Sequence, residues 1–128
     1  MTYYFSKTLG LDFEETIQLV TEALKREGFG IITTIDVKET LKKKINVEFR
    51  NYRILGACNP ALAYEALQLE DKVGTMLPCN VIVQELRPRE IEVAAIDPVA
   101  SMTAIDNPRL KQAAADVREK LARVIESL

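Results

Sequence analysis

The sequence has no histidine and no tryptophan in its 128 residues. The missing histidine excludes Ser-His-Asp and Cys-His catalytic arrangements, the HExxH zinc helix and every histidine-containing zinc site. Any general base must then be a carboxylate, a cysteine, a tyrosine or a lysine with a shifted pKa. Cysteine is scarce, with only two residues, and the N-terminal residues lack the apolar run of a secretory signal. Both thiols are therefore expected to be reduced, in a cytoplasmic protein. No window approaches the roughly 18 continuous apolar residues of a membrane span, so no membrane partner is expected. The chain also lacks a basic excess, its net charge being −2. Sequence-independent nucleic-acid binders carry such an excess to displace counterions, so no nucleic-acid partner is expected either.

What is present is ordinary globular composition, with 48% apolar and 28% charged residues. The length predicts one domain over residues 1–128, which hides roughly two thirds of its unfolded surface on folding. Thr2 to Thr8 reads as a strand centred on Tyr3, Tyr4 and Phe5. Asp12 and Glu15 then form an acidic capping box. Phe13, Ile17, Val20 and Leu24 follow at helical spacing, and Gly28 closes that helix. Gly28-Phe29-Gly30 has the glycine spacing of a phosphate loop. It follows a helix and precedes a strand, however, which is the reverse of the dinucleotide-binding context. The second strand runs from Ile31 to Val37. A short helical piece capped by Asp36 comes next, with Lys42, Lys43 and Lys44 at the negative end of its dipole. These lysines read as a solvated helix end; the alternative is an anion-binding patch with Arg50 and Arg53.

Tyr52 to Cys58 is the third strand. Tyr52, Ile54, Gly56 and Cys58 share one face, and Arg53, Leu55, Ala57 and Asn59 the other. Asn59-Pro60 is a helix start, with Asn59 as N-cap and Pro60 at the first helical position. Leu62, Ala63, Ala66, Leu67 and Leu69 are the expected inner face of that helix. Pro78 is tolerated only at a strand start, so the fourth strand runs from Asn80 to Leu86. A turn at Arg87-Pro88-Arg89 leads to the fifth, Glu90 to Asp97. Residues 97–102 form a connector without a clear assignment. Asn107-Pro108 repeats the capping signal, with Asp106 as the other candidate cap. Leu110, Ala114, Val117, Leu121, Val124 and Leu128 then step by three and four. The order β-α-β-β-α-β-β-α, with a tight hairpin, predicts an α+β fold: an antiparallel sheet of about five strands with helices packed on one face.

The most distinctive residues are two Cys-Asn pairs at strand boundaries. The run Ile54-Leu-Gly-Ala-Cys-Asn-Pro-Ala-Leu-Ala63, the run Gly74-Thr-Met-Leu-Pro-Cys-Asn-Val81 and the connector Asp97-Pro-Val-Ala-Ser-Met102 resemble the bacterial and archaeal family named domain of unknown function 302. The resemblance covers essentially the whole chain. It implies a TATA-box-binding-protein-like α+β fold in a small, cytoplasmic, dimeric protein, and it supplies no reaction or cofactor. The fold name carries no implication of DNA binding, because function lives in the site.

If the third and fourth strands are antiparallel neighbours, both Cys-Asn pairs gather at one rim of the sheet. Parallel strands would separate them. Cys58 then precedes a helix N-terminus, which favours an anion such as a thiolate, and Asn59 and Asn80 offer amide hydrogen bonds. Cys58, Asn59, Cys79 and Asn80 are accordingly the candidate ligand-binding residues. The competing reading makes both cysteines core residues, Asn59 a cap and Asn80 a turn residue. Two thiolates supply half of a tetrahedral metal set, with no histidine to complete it and Asp36 or Asp97 as candidates to extend it. The expected function is a small-ligand-binding or regulatory module that pairs with itself. That pairing would cover an apolar C-terminal helix or an open sheet edge. The alternatives are a thiol-dependent enzyme or redox protein, which needs a cysteine of depressed pKa, and a purely structural or interaction module. Neither the substrate nor the cofactor is named by the sequence.

Overall fold

Alternation of apolar and polar residues, broken by proline, glycine and asparagine, sets the strands. They are β1 (Tyr4–Leu9), β2 (Gly30–Asp36), β3 (Tyr52–Cys58), β4 (Cys79–Arg87) and β5 (Glu90–Ile96). The structure is a computed structural model that describes residues 2–128. The five strands form one sheet in the order β1-β5-β4-β3-β2, and every neighbouring pair is antiparallel. The first strand begins at Tyr4 rather than Thr2, because its register with β5 starts at the pair Tyr4 and Ile96. The β4–β5 hairpin turns on Arg89, whose φ of 62° is left-handed.

The helices begin where the chain supplies side-chain caps. These helices are α1 (Phe13–Arg26), α2 (Val37–Ile45), α3 (Pro60–Leu69), α4 (Pro98–Ser101) and α5 (Pro108–Glu126), with a 3₁₀ segment over Asp71–Met76. The Asp12 carboxylate accepts from the Glu15 amide at 2.8 Å, and Asp36 accepts from Glu39 at 3.0 Å. Asn107 accepts from Arg109 and Leu110, both at 3.1 Å. Each bond satisfies a backbone donor that the first helical turn leaves unpaired. The connector at residues 97–102 contains the single-turn α4, capped by Asp97 through the Val99 amide at 3.0 Å. Asp97 also accepts from Arg118 Nε on α5 at 3.0 Å. Asp36 lies beside Arg53 instead. Neither aspartate joins the cysteines, and no group of three or more potential metal ligands gathers among the described residues.

One sheet face is covered. Leu55, Val81, Val83, Ile91 and Val93 point into the main core, where they meet Val20 and Leu24 of α1 and Leu121 and Val124 of α5. Full burial of each such side chain is worth roughly 1.5–3 kcal/mol. The C-terminal helix therefore docks its apolar stripe on its own sheet. It leaves no apolar stripe for a partner to cover, contrary to the first ground for self-pairing. A second, smaller cluster joins Ala66, Val73, Met102, Leu110 and Ala114, from α3, the 3₁₀ segment and the first turns of α5. The opposite sheet face carries Tyr4, Tyr52, Ile54, Ile82 and Glu92 and is not covered by helices.

Candidate functional site

β3 and β4 are antiparallel neighbours, with Ala57 opposite Cys79 and Gly56 opposite Asn80. Both Cys-Asn pairs therefore lie at one rim of the sheet. Strand alternation then divides them. Cys79 is buried on the helix-covered side beside Val81 and Val83. Asn80, one residue on, faces the uncovered side, in a shallow depression of about 360 Å³ shared with Tyr3, Tyr4 and Tyr52. Cys58, Asn59 and Cys79 instead line one cavity of about 350 Å³. Three of the four candidate residues thus line one cavity at the rim of the sheet, and Asn80 lies outside it.

The cavity lies between the two hydrophobic clusters. Phe29, Ala57 and Cys79 bound it from the main core, and Ala66, Met102, Leu110 and Ala114 from the smaller one. Its remaining wall is α3. That helix was expected to bury Leu62, Ala63, Ala66, Leu67 and Leu69, but only Ala66 is buried. Leu67 remains 43% exposed. Leu62, Ala63 and Leu67 line the void rather than touching a packed floor. The cause is geometric. The chain leaves β3 through Asn59-Pro60, crosses above the sheet end, and returns through Leu77 and Pro78 to β4 (the Leu77–Pro78 peptide is cis). Asn107 Nδ2 donates to the Leu69 carbonyl at 2.9 Å and ties the far end of α3 to the start of α5. The helix is thereby held away from the strands.

The polar groups around this cavity are few. Asn59 Oδ1 accepts from the Leu62 amide at 3.2 Å as the cap of α3. Its Nδ2 packs against Gly28, where a Cβ would lie only 2.9 Å from that nitrogen. Gly28 has a φ of 86°, so glycine there serves both the left-handed end of α1 and the close approach of Asn59. Both cysteines are free thiols. Burial, with a smaller contribution from nearby Cys58, pushes the Cys79 thiol up to about 11. Cys79 is consequently protonated at neutral pH and behaves as a small apolar wall residue. Sequence reasoning missed Phe29, Met102, Leu110 and Ala114 as site residues. The available signal was an apolar α3 with Tyr64 and Leu67 on faces that a fully docked helix would not leave open.

These features define an α+β protein with an antiparallel sheet, helices on one face and an apolar cavity at the sheet's rim. The chain belongs to the family described as domain of unknown function DUF302, whose model matches residues 5–128. The chain is similar to the crystal structure of the uncharacterized conserved protein DUF302 from Bacillus stearothermophilus. That likeness has a TM-score of 0.91 and 28% sequence identity over 98% of both chains. A comparison with curated proteins finds no match.

Proposed function

We propose that this protein is a small-ligand-binding module whose ligand occupies the cavity between α3, α5 and the ends of β3 and β4. The observation that carries this reading is the apolar inner face of α3, held over a void of about 350 Å³. Binding pockets commonly fall in the range of about 300–1,000 Å³ and are mostly apolar with a few placed polar groups. A ligand there would cover the surface of Leu62 and Leu67 that is still open, Leu67 being 43% exposed, for a part of the roughly 1.5–3 kcal/mol that full burial of each is worth. The protonated state of Cys79 weighs against that residue as the nucleophile of a thiol enzyme, a role that needs a depressed pKa. The test is thermal melting in rising naphthalene. A saturable rise in Tm, lost in an Ala114→Leu variant that fills the cavity, is the expected result. No rise in the wild type, together with no binding of any other neutral apolar probe, would overturn the reading.

We also propose that two copies pair through the uncovered sheet face. Tyr3 is 63% and Ile35 48% exposed on that face, with Ile54 and Ile82 between them. Sedimentation velocity should give a dimer that Ile82→Lys converts to a monomer; a monomeric wild type would refute this.

A further inference from the structure

The charge pattern of the cavity restricts what it accepts. None of its lining residues is lysine, arginine, aspartate or glutamate, and the chain has no histidine. A carboxylate or ammonium group seated there would lose its hydration without gaining a counter-charge. The N-terminus of α3 offers no donor on the cavity wall: the uncommitted Ala61 amide belongs to an exposed residue outside the lining. The Leu62 amide already donates to Asn59 Oδ1, and the Ala63 amide donates to the Asn59 carbonyl at 2.9 Å. Pro60, at the first helical position, has no N–H to give.

One lining group can still direct a ligand. Asn59 Nδ2 makes no hydrogen bond to a described residue, while the oxygen of the same amide is committed to the cap. Among the described residues it is the only side-chain amide on the wall. A primary amide donor of this kind pairs with a neutral oxygen acceptor.

Size follows from volume. A dry apolar cavity of about 150 Å³ takes benzene. By the same density the 350 Å³ here admits about fourteen non-hydrogen atoms. Resting on the ligand-binding reading above, we propose that the occupant is an uncharged molecule of about that size or smaller. It would have an apolar body directed toward Met102 and Leu110, and a single carbonyl-type oxygen accepting from Asn59 Nδ2.

The experiment is calorimetric titration of the full chain with decan-2-one and with decanoate, at pH 7. These probes share a ten-carbon chain and differ in charge. The ketone is expected to bind, and the carboxylate to bind on the order of tenfold more weakly or not at all. Asn59→Asp keeps a capping oxygen for the Leu62 amide and removes the donor. It should weaken the ketone by about five- to tenfold. Nuclear Overhauser contacts in the wild type supply a second reading that needs no variant. They should place the ketone's C1 methyl beside the Asn59 side-chain amide and its tail methyl beside Met102 or Leu110. Decanoate binding as tightly as the ketone would overturn the neutral class while leaving the cavity reading intact. Unchanged ketone affinity in Asn59→Asp, or a reversed ligand, would overturn the polar anchor. Absence of binding by both probes together with absence of any naphthalene-induced rise in Tm would overturn the cavity reading itself.

Discussion

Raising the pH should destabilise this protein through Cys79 specifically. The thiol lies on the helix-covered face of β4, and burial raises its pKa from 9.0 to about 11. In the unfolded chain the same thiol ionises near its ordinary value. Below pH 9 both states hold the proton, and folding is unaffected by it. Between pH 9 and 11 the unfolded state loses the proton first, so it binds fewer protons than the native state and stability falls as pH rises. The full loss is about 2.7 kcal/mol, at 1.36 kcal/mol per unit. By pH 10.5 it reaches roughly 1.9 kcal/mol. Tyrosines and lysines titrate in the same window, so the assay must be differential. Urea unfolding of wild type and Cys79→Ala, at pH 8.0 and 10.5, isolates the term, because the other groups are common to both proteins. Cys79→Ala should be less stable at pH 8.0, having lost a buried sulfur. It should then lose about 2 kcal/mol less than wild type on going to pH 10.5. Parallel losses in the two proteins would refute the argument and with it the placement of the thiol in an apolar wall.

Three further substitutions test the frame around the cavity. Gly56→Ala would place a Cβ 2.1 Å from Thr33 Oγ1 and 2.7 Å from the Pro78 ring. An overpacking cost of about 1–3 kcal/mol in urea unfolding is expected, and an unchanged midpoint would contradict the close approach. Asn107→Ala removes the α5 cap and the bond to the Leu69 carbonyl, for an expected loss of about 2 kcal/mol. Amide exchange should accelerate in α3 as well as in α5; acceleration confined to α5 would show that the tie to Leu69 does no work. Leu121→Ala, in a side chain with no exposed surface, should cost about 2–5 kcal/mol. A cost below 1 kcal/mol would mean that α5 is not seated as described.

Local chemistry explains why so much of the element order was legible. Asp12, Asp36, Asn59 and Asn107 each cap the helix expected of them, because a short polar side chain before a helical run satisfies amides wherever the rest of the chain goes. The antiparallel pairing of β3 with β4 put both Cys-Asn blocks at one rim, as the connection suggested. What did not follow was which side of the sheet each residue faces. Asn80 differs from Cys79 by one step of the pleat, and that step moves it across the sheet. The cavity was illegible for another reason. Periodicity marks which side of α3 is apolar, but the distance between that side and the sheet depends on Asn107, Leu69 and the return through Pro78. These contacts are remote in sequence, and no local pattern records them. The fate of α5 was similarly open, since an apolar stripe does not name the surface it meets.

The placement of β1 at the far edge of the sheet has a consequence for how the chain assembles. β3, β4 and β5 pair in sequence order, so that meander can form from neighbouring segments. β1 is made before the other four strands, yet among the described residues its one strand partner is β5. Lys7 on β1 also donates to the Glu126 carbonyl, 119 residues away in sequence. At synthesis rates of about 5–20 residues per second, the strand waits for several seconds without its partner. Closing so long a loop is entropically costly before the contacts it brings are made. The earliest of the five strands to be made is thus among the last to be incorporated. Until β5 is made, the aromatic run Tyr3, Tyr4 and Phe5 has no strand to pair with.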